Sequence, residues 1–419
     1  SIFAKELPSL VPPIIRMLVI MKKKPWLTII GVNGDANDTL PQKAIQSIKY
    51  AELVMGAERH IKNIRTISNK TFLWPSPFEK GITELLKFRG KKVVVLVSGN
   101  PFWFGAGNKI IEKLNKSEWI CFQSPSTFSI VASRMGWAIQ DTLCFGLHAV
   151  PFESICRYLA PNVKMILLLK DGENVLKLAE WLTIKKFGRS DFVVMESLGF
   201  KNEKIRRTIA SEIDFRDINH PVSVAISILG NGETIPLSSG RPDNLFKNDG
   251  QITKQPIRAL TMSALAPKPF EHLWDIGSGS GSIAIEWLLS HNTNTVSAVE
   301  FKSSRVEQIK LNATKLGLNN LIVYEDKIEN ILEKLSKPDV VFIGGGLTVN
   351  LLKDVWNIIP KNTRLVINSV TLETGSILIN AHKKYGGELY KFDVSKVGNL
   401  GKNRAWSKSY PIIQWVKSK

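Results

Sequence analysis

Trp274-Asp275-Ile276-Gly277-Ser278-Gly279-Ser280-Gly281-Ser282 is the stretch from which the rest of the chain is read. Residues 273–276 form an apolar run of buried-strand length. Glycines at every second position then lead into Ile283-Ala284-Ile285-Glu286-Trp287-Leu288-Leu289, which reads as a helix. A strand, a glycine turn and a helix in that order let a ligand press against bare backbone. They also place it at a helix N-terminus, where unpaired N–H groups and the dipole favour a carboxylate or phosphate. The spacing argues against a dinucleotide, whose fingerprint is G-x-G-x-x-G: here the third glycine is Gly281 and position 282 is Ser. Asp275 is the acidic lead-in to the turn, and Glu300 closes the next strand, residues 296–299. A carboxylate at that strand end can accept hydrogen bonds from both hydroxyls of a ribose lying on the glycine loop, which suits an adenosyl ligand.

Downstream, apolar runs at 321–324, 339–343 and 364–367 alternate with helical stretches, as a doubly wound parallel sheet requires. Asp326 and Lys327 follow the third strand, near where an adenine would lie. Gly344-Gly345-Gly346 and Asn368-Ser369-Val370-Thr371-Leu372-Glu373 end the next two, and form the rim beside the reacting group. Asn368, Glu373 and the amides of Gly344, Gly345 and Gly346 are therefore candidates for handling substrate. Upstream, Gln251-Ile252-Thr253-Lys254-Gln255-Pro256-Ile257-Arg258 opens this domain. Thr253 reads as a helix cap and Arg258 as a side chain facing back over the same helix end. Residues 231–250, rich in Pro, Ser, Gly and Asn and without periodicity, read as an interdomain linker.

A chain of 419 residues is too long for one ordinary core. Its composition, 44% apolar and 22% charged, is that of a globular protein, and no apolar run approaches the roughly 20 residues of a membrane span. A cytoplasmic protein with no membrane contact is expected. Cys121, Cys144 and Cys156 contain no C-x-x-C pair and read as buried thiols, so neither a disulfide framework nor a metal site is expected. The formal charge of +19 is spread over both halves, with no basic run longer than Lys22-Lys23-Lys24. Such a balance attracts polyanions, either nucleic acid or a small molecule with many carboxylates, and scattered lysines of this kind equally form a merely solvated surface. In residues 1–25 the lysines follow the apolar patch, the reverse of a secretory signal, and this segment reads as an extension.

From Trp26 to residue 230 a second α/β pattern runs. Strands are expected at 26–30, 52–55, 92–97, 164–169, 192–196 and 222–229, with helices at 41–50, 128–135 and 174–187. Ser124-Pro125-Ser126-Thr127 caps the second of these helices. The strand at 92–97 ends in Ser98-Gly99-Asn100-Pro101, and strand ends of this kind line ligand crevices in open α/β sheets.

Four stretches of this half, the turn at Gly31, Val54-Met55-Gly56-Ala57-Glu58-Arg59-His60, Ser98-Gly99-Asn100-Pro101-Phe102-Trp103-Phe104-Gly105 and Pro125-Ser126-Thr127-Phe128-Ser129, resemble the tetrapyrrole methylase family. The resemblance implies two α/β subdomains with S-adenosylmethionine (SAM) in the cleft between them. It places cofactor contacts near Gly31, Gly34, Gly99, Asn100, Ser126 and Thr127, and His148 beside the substrate. Two departures are visible. The family's Gly-Asp-Pro reads Gly99-Asn100-Pro101, and its Leu-His-Gly-Arg reads Leu147-His148-Ala149-Val150, losing an arginine suited to a carboxylate. The acidic lead-in with G-x-G-x-G resembles Rossmann-like SAM methyltransferases. With Ile252-Thr253-Lys254, Arg258, Phe342-Ile343-Gly344-Gly345-Gly346 and the 368–373 stretch, the second half is similar to the decarboxylating C15-methyltransferases of cobalamin synthesis.

Both modules in this order resemble the decarboxylating precorrin-6Y C5,15-methyltransferase family over residues 26–419. The resemblance implies SAM contacts at Thr253, Gly277, Gly279, Gly281, Glu300 and the backbone of Lys327; by position, Asp275 and Asp326 are expected on the cofactor side and Arg258 and Gly344–Gly346 on the substrate side. It implies methylation at C5 by residues 26–230 and at C15 by residues 251–419, loss of carbon dioxide from the C12 acetate, a polycarboxylate tetrapyrrole substrate and a homo-oligomer. Two other readings compete. A nucleic-acid methyltransferase would fit the charge, but Asn100-Pro101-Phe102 lacks the second proline of an Asn/Asp-Pro-Pro-aromatic segment, and no cysteine follows Cys156. The first module could also be a scaffold that only docks the second.

Overall fold

The structure is a computed structural model that describes residues 25–34, 40–64, 67, 68, 70–318 and 320–419; the extension expected at 1–25 therefore lies, but for its last residue, outside the described residues. The described residues up to Val150, with Pro161–Gly232, form one compact unit, and Pro151–Ala160 with Glu233–Lys419 form a second. Among the described residues no helix is long and apolar enough to cross a membrane.

The first unit contains two sheets. In the first, β1 (Leu27–Val32), β2 (Leu53–Gly56), β3 (Thr71–Leu73), β4 (Val93–Ser98) and β5 (Trp119–Phe122) are all parallel in the order β3-β2-β4-β1-β5. Strand alternation sends Ile30, Val54, Val94 and Leu96 into one core and Ile29, Met55, Val93 and Val95 into another. A sheet buried on both faces needs continuous apolar strands, which is why β1, β2 and β4 were legible as runs, while the edge strands β3 and β5, largely unburied, were not. The second sheet has the order β6-β7-β10-β8-β9, from β6 (Leu143–Gly146), β7 (Lys164–Leu169), β8 (Asp191–Glu196), β9 (Lys204–Ile209) and β10 (Val222–Ser227). Only its β6–β7 pair is parallel. The helix Thr127–Met135 covers it through Phe128, Val131 and Ala132. As expected, Ser126 caps that helix, its hydroxyl accepting from the Ser129 N–H at 3.1 Å.

The second unit is built on a seven-stranded sheet of order β13-β12-β11-β14-β15-β19-β16. The strands β11 (His272–Ile276), β12 (Thr295–Glu300), β13 (Leu321–Glu325), β14 (Val340–Ile343) and β15 (Arg364–Ser369) run parallel. An edge follows in which β19 (Ile412–Ser418) is antiparallel to both β15 and β16 (Glu388–Phe392). A hairpin of β17 (Ser395–Leu400) and β18 (Asn403–Lys408) stands as a separate sheet. Leu273, Ala298 and Phe342 face one core; Trp274, Ile276, Val341 and Ile343 face the other. In the helix Ser282–Ser290 every residue from 282 to 289 is buried, so it is enclosed around its circumference rather than along one stripe, with Glu286 its one buried charge.

Two expectations are corrected. Residues 233–250 are not a free linker: Ile235, Leu245 and Phe246 belong to the core of the second unit, and the Lys247 N–H donates to Asn312 Oδ1 at 2.7 Å. A composition rich in Pro, Gly and Asn made the backbone irregular here without making it unpacked. Thr253, in turn, is not a helix cap. The helix is Gln255–Leu265, its N-cap residue is Lys254 with no side-chain hydrogen bond, and Pro256 stands in the first turn, where a fixed φ favours initiation.

Candidate active sites

In the second unit the parallel register aligns the C-terminal ends of five strands, so Gly277–Gly281, Glu300, Asp326, Gly344–Gly346 and the 368–373 stretch share one edge of the sheet. The glycine turn is tied down at its start: the Gly277 and Ser278 N–H groups both donate to the Val299 carbonyl, at 3.0 and 3.1 Å. Its middle stays open. At Gly279 (φ +58°) an added Cβ would meet only the Gln251 carbonyl, at 3.8 Å, so bare backbone here faces space and not a packed neighbour. That contact also places the segment bearing Thr253 over the loop.

Glu300, buried, closes the cradle. Its Oε2 accepts from the Gly279 N–H and its Oε1 from the Lys302 N–H, both at 3.0 Å. Each carboxylate oxygen has a second lone pair to offer, so a ribose diol fits the remaining acceptors. Asp275 lies beneath the loop, 1% exposed, with Oδ2 accepting from the Ala284 N–H at 3.1 Å and Oδ1 buried without a protein partner. Burial, with the Glu300 charge adding to it, pushes its carboxyl up to about 7. Asp275 thus holds the loop to its helix from below. Asp326 Oδ1 accepts from the Lys327 N–H and from Asn330 Nδ2, each at 2.7 Å, a local turn that leaves its other oxygen for a ligand; Lys327 is exposed.

Two residues expected to meet substrate are occupied otherwise. Arg258 is 0% exposed: its Nε donates to Glu286 Oε1 at 3.0 Å, its Nη2 lies 3.0 Å from Asp243, and it reaches the carbonyls of Thr253 and Arg241. Its donors are taken up by protein partners. Asn368 is buried, donating to Thr261 Oγ1 at 2.8 Å and accepting from Gln414 Nε2 at 2.9 Å, so it pins the end of β15 to its neighbours. By contrast Glu373 is exposed in the first turn of the helix Leu372–Tyr385, and Gly344, Gly345 and Gly346 are exposed on the rim.

The first unit carries a cavity of about 430 Å³ whose wall includes Gly99, Asn100, Ser126, Thr127 and His148. Gly31 and Gly34 are not on it. A Cβ on Gly31 would fall 1.8 Å from the Gly99 carbonyl, so this glycine lets two strand-end turns pack together. Asn100 Oδ1 accepts from the Phe102 N–H at 3.0 Å, the turn-forming bond an aspartate would make, here without the charge. Sequence reasoning missed Arg59, His60, Ser98 and His220, which also line this cavity. Arg59 Nη2 donates to Ser98 Oγ at 2.9 Å, and His60 Nε2 lies 3.0 Å from the same hydroxyl. Burial and then Arg59 push His60 down to about 4, and burial lowers His148 and His220 as well. The Glu58-Arg59-His60 run was visible as sequence; that His148 and His220 converge on it was not.

Residues 27–214 match the family model of tetrapyrrole (corrin/porphyrin) methylases, and residues 244–419 that of the precorrin methyltransferase domain. A Sinorhizobium sp protein named precorrin-6Y C(5,15)-methyltransferase [decarboxylating] is 37% identical over 94% of this chain and 97% of its own length. A protein of the same name from Mycobacterium tuberculosis is 30% identical over 94% of this chain and 100% of its own. Among solved structures, the C-terminal domain of the precorrin-6Y C5,15-methyltransferase of Rhodobacter capsulatus is similar, at 39% identity and TM-score 0.43, covering 44% of this chain and 100% of that one.

Proposed function

The chain belongs to the decarboxylating precorrin-6Y C5,15-methyltransferase family, and from that premise we propose that it methylates a reduced precorrin at C5 and C15 and removes carbon dioxide from the C12 acetate, with SAM as methyl donor. The observation that carries this reading is the likeness of both modules, in one order, along almost the whole chain. SAM supplies an electrophilic methyl group, and the bridging carbons of a reduced tetrapyrrole are enamine-like and already nucleophilic. The protein's task is therefore to position the reactants and exclude water, without a strong base.

In the second unit the residues suited to hold SAM are Gly277, Gly279, Gly281 and Glu300, with Asp326 at the adenine side; the open space over Gly279 and the spare acceptors of Glu300 support that fit. The exposed Glu373 and the Gly344–Gly346 turn are the rim groups we assign to substrate, while Asp275, Arg258 and Asn368 keep the cradle in shape. In the first unit Gly99, Asn100, Ser126 and Thr127 are suited to SAM, and the aromatic wall of Trp74, Trp103, Phe104 and Phe128 to the macrocycle.

Incubating the purified chain with SAM and the reduced precorrin tests this directly. Mass spectrometry should show two methyl groups gained and one carbon dioxide lost. A gain of one methyl with loss of carbon dioxide would mean that the first unit is a scaffold, and an untouched precorrin would overturn the reading.

A further inference from the structure

One end of the cavity of the first unit carries a single fixed positive charge, the Arg59 guanidinium, with no counter-charge and three histidines around it. Arg59, His60, His148 and His220 reach it from the helix Glu58–Asn63, from the loop after β6 and from the loop before β10, and no carboxylate lines it among the described residues. Arg59 differs from Arg134, Arg206 and Arg207 of the same unit. Arg134 holds Glu203, Arg206 holds Glu196 and Asp217, and Arg207 holds Asp191, whereas Arg59 has no carboxylate within ion-pair distance among the described residues. Its partners are the uncharged Ser98 hydroxyl at 2.9 Å and His60 Nε2 at 3.4 Å.

The His60 ring is buried, and its pKa of about 4 keeps it a neutral acceptor beside the guanidinium. Ser98 can donate its own proton to His60 Nε2 while accepting from Arg59, so the three groups form a closed triangle that fixes the fork of the guanidinium. Arg59 is exposed on the cavity wall, so its charge is within reach of a ligand, and a preorganised fork of this kind matches a carboxylate. Beyond it the wall turns aromatic, with Trp74, Trp103, Phe104 and Phe128. A ligand with carboxylates on the edge of a broad apolar ring complements both surfaces.

We propose that Arg59 is the substrate-carboxylate anchor of the first unit, oriented by Ser98 and His60 and flanked by His148 and His220. This rests on the reading of that unit as a precorrin methylase and names the residue that selects the substrate's acidic edge. Ser98 and His60 are positioning residues.

The test uses the full chain with Arg59→Met and Arg59→Lys. In Arg59→Met the KM for the precorrin in the C5 methylation should rise about tenfold or more, the loss of one charge-assisted contact. The KM for SAM and the decarboxylating step of the second unit should stay as they were, and Arg59→Lys should recover part of the loss. An unchanged precorrin KM overturns the anchor. So does a rise confined to the KM for SAM, which would mean that the guanidinium holds the donor's carboxylate instead. Failure of the wider reading looks different, because the wild-type chain would then leave C5 unmethylated. The anchor is judged in that case by titrating wild type and Arg59→Met with uroporphyrin, a stable polycarboxylate tetrapyrrole: weaker binding by the variant supports it and equal binding overturns it.

Discussion

At the scale of single residues, the glycine loop and its two acids make separable predictions. Gly279→Val puts a side chain into the space over the loop, where only the Gln251 carbonyl is near. The positive φ adds a strain of about 1–2 kcal/mol, which a folded domain can bear. SAM binding by the second unit should be lost on calorimetry while the circular dichroism spectrum is kept; undiminished affinity would show that the ligand lies elsewhere. Glu300→Gln keeps shape but turns one acceptor oxygen into a donor facing the Gly279 or Lys302 N–H. Losing a charged hydrogen bond costs about 1.5–3 kcal/mol, so SAM affinity should fall about tenfold or more. Asp275 gives a pH effect. Its carboxyl is raised from 3.8 to about 7 by burial, so the folded state binds the proton more tightly than the unfolded one. The stability it contributes is complete below the unfolded value and is lost as pH rises through about 7. Urea midpoints of the ligand-free second unit should decline over that window, and Asp275→Asn should flatten the decline; an equal slope in both would show that another group titrates.

At the scale of elements, Glu286 joins three pieces of chain. Its carboxylate accepts from the Gly240 amide at 3.1 Å and, away from solvent, from the Arg241 amide at 2.8 Å, from Arg241 Nη1 at 2.8 Å and from Arg258 Nε at 3.0 Å. It thereby clamps residues 233–250 and the helix Gln255–Leu265 onto the helix Ser282–Ser290, whose first turn receives the glycine loop. Removing one partner of a buried ion pair typically costs about 3–5 kcal/mol, because the charges left behind are unpaired. Glu286→Ala should lower the stability of the second unit by that order in urea unfolding, although it touches no ligand. A change within about 0.5 kcal/mol, the size of a surface substitution, would show the clamp to be idle.

At the scale of the whole molecule, each unit carries its own candidate site, so the two methylations should be separable in the intact chain. With Gly279→Val the expected product has gained one methyl and kept its carbon dioxide; a precorrin untouched by that variant would show that the first site needs the second. Much of this plan was legible in the sequence. The apolar strands 93–98, 164–169 and 272–276 declared themselves because sheets covered on both faces need unbroken apolar runs. The loop 277–281 and Glu300 did so because backbone chemistry dictates glycine, and a strand end an acid, at fixed spacing. Strand β9 was hidden by its charges, which the edge satisfies by pairing Arg206 and Arg207 with Glu196 and Asp191. The irregular 233–250 segment hid its packing because composition reports backbone regularity and not burial. Sequence determined which motifs exist and in what order. Tertiary structure decided which polar side chains are spent inside the protein and which remain for a ligand: Arg258 is consumed by Glu286, while Arg59 keeps its charge for the cavity. That division depends on partners 28 and 39 positions away, and local spacing carries no record of them.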